Sequence, residues 1–274
     1  GIHSLASHAS IFTGTPVESH GLTTHGSEID PDRTIWTNLT DRGYDTGLFT
    51  PNAVITRSSN FGNAFQTVVG PKDRNKIPFS QALSPSDVEN INETSKSEYL
   101  RMSLTSGCPI RSLPNGVTEL IYDKLNYFAI DESGEIYVSE FLNWHDERNG
   151  PWAACLNLMD AHFPYEPSDE FDRWGGATLR RLHAKLEKPP ANEFIQERPW
   201  WQLEAFEHLY DGTILELDTH VEQLIKRLQQ AGVHDDTLVV VTSDHGEGFG
   251  ERSRLTGRTR LVDHSWGIDE ALTH

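Results

Sequence analysis

Cysteine is nearly absent from this chain, with two residues in 274, Cys108 and Cys155. Two cannot make a disulfide framework, and neither lies in a Cys-x-x-Cys pair or beside a histidine. A dithiol redox centre or a zinc knuckle is therefore excluded as the organising feature. Cys155 falls in an apolar run and reads as a small core residue. Long apolar runs are missing as well. Nothing approaches the roughly 18 apolar residues of a membrane helix, and mean hydropathy is −0.52. The first residues show no basic region followed by an apolar core, so no secretory leader is visible and the expected location is cytoplasmic. Lysine is scarce: 7 of 23 Lys and Arg, against 41 Asp and Glu, for a net charge of −18. No basic stripe is available to neutralise phosphates, which argues against nucleic acid as a partner. An acidic surface that keeps Arg over Lys suits a protein held soluble in concentrated salt, where the Debye length shrinks to about 3 Å at 1 M and self-repulsion stops being costly. A halophilic source is the expectation.

What the chain does have is alternation of helical and strand patterns. Its length permits one large domain or two small ones, and no internal repeat is present. Ile35 to Arg42 reads as a short helix stopped by Gly43, followed by a strand from Tyr44 to Phe49. Leu120, Ile121, Leu125 and Phe128 place a helix beginning near Val117. Another covers Glu135 to His145, ended by Gly150-Pro151. Trp152 to Met159 is an apolar run that fits a strand buried on both faces. From Tyr210 to Gln230, the residues Ile214, Leu217, Val221, Leu224, Ile225 and Leu228 form one helical stripe. Ala231-Gly232 ends that helix, Asp235-Asp236 makes a turn, and Leu238 to Val241 is a β-branched strand that stops at Ser243-Asp244-His245-Gly246. Helix, short turn and buried strand form half of a crossover unit. Several such units predict an α/β fold of three layers, α/β/α, with a largely parallel sheet. Polar stretches at about 70–116 and 175–199 read as insertions into a single domain spanning 1–274.

In such sheets, functional groups collect beyond the carboxyl ends of the strands. Asp244 and His245 lie at such an end, and one hard oxygen beside one imidazole suits a divalent cation. The plainer alternative is that Asp244 caps a helix and His245 packs in a loop. At the other end of the chain, Ser4 opens a helical stretch, where backbone N–H groups favour an anion and developing negative charge. Ser4 or Ser7 acting as a simple helix cap is the alternative there.

The segment TLVVVTSDHGEGFGE, residues 237–251, with Tyr210-Asp211 and Asp218 behind it, resembles the sulfatase family of the alkaline-phosphatase superfamily. There a strand ends in Ser-Asp-His-Gly-Glu, and the Asp and His bind the catalytic metal. SLASHASIFTG, Ser4 to Gly14, is similar to the family's nucleophile signature: Cys or Ser, any residue, Pro or Ala, Ser, Arg, then Thr-Gly. Ser4 falls on the nucleophile, Ala6 and Ser7 on the next positions, and Thr13-Gly14 on the close. His8 replaces the Arg, which belongs to the signal for converting the nucleophile to formylglycine, so Ser4 is expected to stay an unmodified serine. A branch with Ser or Thr as nucleophile carries Ser-His-x-Ser here and is the closer likeness. Asp160-Ala-His162-Phe-Pro-Tyr165 resembles the family's His-x-Pro-Tyr loop, which puts His162 on the sulfate or leaving-group oxygen. A loop histidine stacked on Phe163 or Tyr165 is the alternative. His264, in LVDHSWG, resembles a substrate-binding His of phosphoethanolamine-transferase relatives. Gly43 to Thr46 with Asn52 resembles the second strand and its loop, with Asn52 near the pocket.

The resemblance implies an alkaline-phosphatase-like fold and one divalent metal held by Asp244, His245 and Ser4. Ca²⁺ is expected first, with Mg²⁺, Mn²⁺ and Zn²⁺ as alternatives. It also implies paired Asp residues on a first strand upstream of Gly1, and a further core strand and small subdomain beyond His274. The function it implies is hydrolysis of a sulfate ester on a small molecule or glycan. A phosphomonoester or phosphodiester hydrolase, or a phosphoethanolamine-type transferase using Ser4, is the enzymatic alternative. A non-catalytic binding relative is the third.

Overall fold

The computed structural model describes residues 4–24, 27–56, 59–71, 101, 105, 133–186, 194, 196–252 and 260–263. The helix expected near Val117, Cys108, His264, most of the 70–116 stretch and part of 175–199 lie outside the described residues. The chain divides into two units, residues 1–70 with 132–274, and residues 71–131. All the elements named below belong to the first unit.

Helix α1 spans Ser4–Thr13 and α2 spans Ile35–Asp41. Thr34 caps α2 by accepting from Thr37 N at 3.3 Å, as a β-region Thr at that position does. Gly43, at φ 86°, turns the chain out of the helix, a backbone setting that favours glycine. Strand β1, Asp45–Phe49, comes next, then β2, Thr67–Val69. Helix α3, Gly134–Asp146, leads through Gly150-Pro151 into β3, Trp152–Leu156. The three strands form a parallel sheet in the order β2-β1-β3.

Alternation along β1 sends consecutive side chains to opposite faces. Leu48 joins a core with Leu5, Ala9 and Phe12 of α1, while Phe49 joins another with Tyr137, Val138 and Phe141 of α3. Helices therefore cover both faces of the parallel sheet, the three-layer arrangement expected from the pattern. Phe12 is the hub of the first core, with edge-on ring contacts to Trp36, Phe61 and Phe65 at centroid distances of 5.5, 5.3 and 5.7 Å. Such pairs contribute roughly 0.5–1.5 kcal/mol each beyond burial.

Helix α4, Gly176–His183, lies inside the polar 175–199 stretch, and α5 spans Trp201–Gln230. The apolar stripe of α5 starts earlier than Tyr210: Leu203, Phe206 and Leu209 continue it at helical spacing and are buried. They pack with Tyr165, Phe194, Phe249 and Val262 in a third core. Strands β4, Phe249–Arg252, and β5, Arg260–Val262, pair antiparallel beside it. No helix among the described residues is long and apolar enough to cross a membrane.

One expected strand behaves differently. Among the described residues no strand pairs with Leu238 to Val241, and Leu238, Val240 and Val241 are 90%, 73% and 73% exposed.

Candidate active site

The edge of β3 that faces away from β1 opens onto a groove of about 460 Å³. One wall is β3 and the loop after it, Asn157 to Met159; the other is the segment Thr237 to Glu247. Ile11 and Phe12 of α1 and Leu217, Val221 and Leu224 of α5 supply apolar lining. Those α5 residues belong to the stripe visible in the sequence, here turned toward the groove.

Four of the sequence-predicted site residues line this one groove: Ser4, His162, Asp244 and His245. His264 is outside the described residues. Ser4 is the first residue of α1, so the unsatisfied N–H groups of that helix's first turn surround its position. Beyond the Thr237–Val241 segment, Asp244 Oδ1 accepts from the backbone N of His245 at 3.0 Å. Its Oδ2 lies 3.6 Å from His245 Nε2. His245 Nδ1 donates to the Gly246 carbonyl at 3.0 Å, since that oxygen can only accept.

His8, a departure from the signature in the sequence, is brought into the site by the fold. It is 4% exposed. Its Nδ1 donates to the Ser4 carbonyl at 2.8 Å and stands 3.7 Å from Asp244 Oδ2. Burial lowers its pKa, opposed by the Asp244 charge. An arginine here would have been charged at any pH.

An oxygen and a nitrogen bound to one ion at roughly 2.0–2.6 Å sit about 3–4 Å apart, which the Asp244 and His245 pair satisfies. The chemistry of this pair therefore fits a divalent cation. Among the described residues, however, no group of three or more His, Cys, Asp or Glu is gathered to hold one.

The loop after β3 is held from several sides. Thr50 Oγ1 donates to Asn157 Oδ1 at 2.7 Å, and His162 N donates to the Met159 carbonyl at 2.9 Å. Asn52 is buried, accepts from Val54 N at 2.9 Å and points its amide at Met159 Sδ, 3.8 Å away. It supports the loop from beneath. Phe163 and Tyr165 make ring contacts with each other and with His183, and Tyr165 also with Tyr210 and Phe249. Glu247 raises the phenol pKa of both Tyr165 and Tyr210, after burial, and Tyr210 is pushed up to about 12. Cys155, partly buried on β3, has its thiol pushed up to about 12 by burial and is no nucleophile at neutral pH.

Comparison with known proteins adds three findings. The family described as Sulfatase matches residues 3–269. The crystal structure of a phosphonate monoester hydrolase of Agrobacterium radiobacter is similar at TM-score 0.57 and 19% identity, covering 91% of this chain and 54% of that one. A structure solved in complex with its substrate, D-glucosamine-2-N,6-O-disulfate, is similar at TM-score 0.49 and 14% identity, covering 96% of this chain and 58% of that one. The chain thus spans a little over half the length of these solved structures.

Proposed function

The chain belongs to the sulfatase family, and we propose that within its complete protein it carries out metal-dependent hydrolysis of a sulfate ester on a small molecule or glycan. The convergence of Ser4, His162, Asp244 and His245 on one groove carries this reading. Ser4 Oγ loses its proton to water and forms a bond to sulfur as the bond to the ester oxygen breaks, and His162 supplies the proton that the departing oxygen takes. Water then cleaves the ester on Ser4, releasing sulfate and restoring the hydroxyl. His8 holds the first turn of α1 through the Ser4 carbonyl, and the N–H groups of that turn face the anion. His264 would add a further contact to the substrate.

A divalent ion held by Asp244 and His245 beside Ser4 supplies the positive charge that lowers a hydroxyl pKa and neutralises an anionic ester. Calcium is the ion expected first, with magnesium, manganese and zinc as alternatives. Calcium and magnesium take six or more ligands, and zinc four, so one carboxylate with one imidazole is too few.

A second reading has an observation in its favour. His8 stands where the formylglycine signal has Arg, which supports an unmodified Ser4. A phosphoserine intermediate is readily hydrolysed, while a sulfated serine lacks the easy release that a formylglycine hydrate allows. Phosphomonoester or phosphodiester hydrolysis, or phosphoethanolamine-type transfer, is the activity this chemistry favours. A panel of sulfate and phosphate esters, tried on the complete protein with each of the four metals, separates the readings. Sulfate release lost in Ser4→Ala supports the first. Turnover confined to phosphate esters selects the second. No turnover and no metal uptake would leave a binding relative and sink both.

A further inference from the structure

A buried aspartate–histidine pair near the groove takes no part in the chemistry above. Asp160 lies just past β3, two residues before His162, and His220 lies on α5. His220 Nε2 is 3.5 Å from Asp160 Oδ1, and each side chain is 8% exposed. The same Oδ1 accepts from Gly134 N, the first residue of α3, at 2.8 Å. A Cβ on Gly134 would stand 2.6 Å from Asp160 Oδ2 and 3.1 Å from His220 Cδ2, so the carboxylate needs a glycine there. Asp160 Oδ2 and both ring nitrogens of His220 make no hydrogen bond among the described residues.

A buried carboxylate this poorly bonded is costly unless positive charge lies beside it. Two sources are present. The α3 N-terminus presents its unsatisfied N–H groups and the positive end of its dipole. His220 presents an imidazole whose pKa is raised by Asp160, against burial, with Glu216 and Glu135 acting in the same direction. Two elements distant in sequence, α3 and α5, therefore close on one side chain, and that side chain belongs to the loop carrying His162.

We propose that Asp160 is a positioning residue for His162, held in place by Gly134 N and His220. The proposal rests on the reading of His162 as the group that meets the departing oxygen. From Met159 to His162 the backbone makes one turn, so there is little slack to absorb a shift at Asp160. Asn157 and Met159 fix the start of the loop, and the clamp on Asp160 fixes its direction as it enters the groove.

The test uses the complete protein with ¹⁵N-labelled histidines, the His162 resonances being assigned by their loss in His162→Ala. Three variants loosen the clamp in different ways. Asp160→Asn keeps an acceptor for Gly134 N and removes the charge. His220→Gln removes the imidazole. Gly134→Ala displaces the carboxylate without altering any charge, and keeps the question open should Asp160→Asn fail to fold. The expected result is that His162 resonances move in every folded variant while those of His183 stay. In parallel, kcat should fall roughly tenfold or more with KM nearly unchanged. On a His162→Ala background, Asp160→Asn should cost nothing further. Unmoved His162 resonances in folded Asp160→Asn and Gly134→Ala proteins would overturn the proposal whether or not any ester is hydrolysed, and so would losses that simply add to that of His162→Ala. Moved resonances in a protein with no turnover would sink the catalytic reading and leave the clamp standing.

Discussion

His8 Nδ1 stands 3.7 Å from Asp244 Oδ2, joining residues 236 positions apart in sequence at the mouth of one groove. Because that nitrogen also donates to the Ser4 carbonyl, the helix bearing the proposed nucleophile and the loop bearing the proposed metal ligand share a single imidazole. His8→Asn, which retains a short side-chain donor, should keep more activity than His8→Leu. Equal activity in the two would show that the hydrogen bond to Ser4 is not what matters.

Removing the carboxylate should remove the ion. In the complete protein, Asp244→Ala is expected to weaken divalent-cation affinity by at least about tenfold and to abolish turnover in step. Calorimetric titration reads the first and ester hydrolysis the second. Glu247→Ala, at a residue engaged with Tyr165 and Tyr210, should leave metal affinity close to that of the parent. Metal stoichiometry that does not change in Asp244→Ala would take Asp244 out of the site.

Ser4 should be serine in the mature protein. Formylglycine is lighter than serine by two hydrogen atoms, so mass spectrometry of the peptide containing Ser4, from protein made in its own host, decides the matter. A peptide lighter by that amount would restore sulfate turnover as the sole enzymatic reading despite His8.

His183 gives an acid limb to stability. It is 3% exposed, and burial lowers its pKa from 6.5 to about 4. The unfolded chain therefore binds the proton more readily than the folded one. Its contribution is complete above pH 6.5 and is lost as pH falls toward 4, amounting to about 3 kcal/mol at 1.36 kcal/mol per unit. His183→Phe, which preserves the ring contacts to Phe163 and Phe206, should flatten the change in urea midpoint between pH 7 and 4. An acid limb as steep as the parent's would assign the loss of stability to other groups.

Salt should stabilise. With a net charge of −18, screening relieves self-repulsion, and the melting temperature is expected to rise with KCl toward molar concentrations. A melting temperature that falls over that range would dispose of the halophilic expectation.

Much of this architecture is legible in the sequence because period and punctuation agree. Gly43 after Ile35 to Asp41, and Gly150-Pro151 before Trp152, mark their boundaries directly. Ser4, His162, Asp244 and His245 are legible because motif residues lie at strand and helix ends. What escapes depends on distant partners. Helix α5 begins nine residues early because Leu203 and Phe206 count as a stripe only when Tyr165 and Phe249 are there to cover them. The role of His8 needs Asp244 beside it, and the Asp160 and His220 pair is separated by 60 positions with no local signal. The strand expected at Leu238 to Val241 does not form among the described residues, because local propensity is legible in one segment while pairing is a property of two.

The unpaired Leu238 to Val241 segment carries a practical consequence for the chain in solution. Four exposed apolar residues with no strand partner among the described residues are a template for the same segment of another molecule. The strong negative charge keeps molecules apart near neutral pH, but the isoelectric point is about 5.0. Acidification to that range removes the repulsion while leaving the sticky edge intact. Samples of the 274-residue chain should then form β-rich aggregates, and Val240→Lys should keep them dispersed.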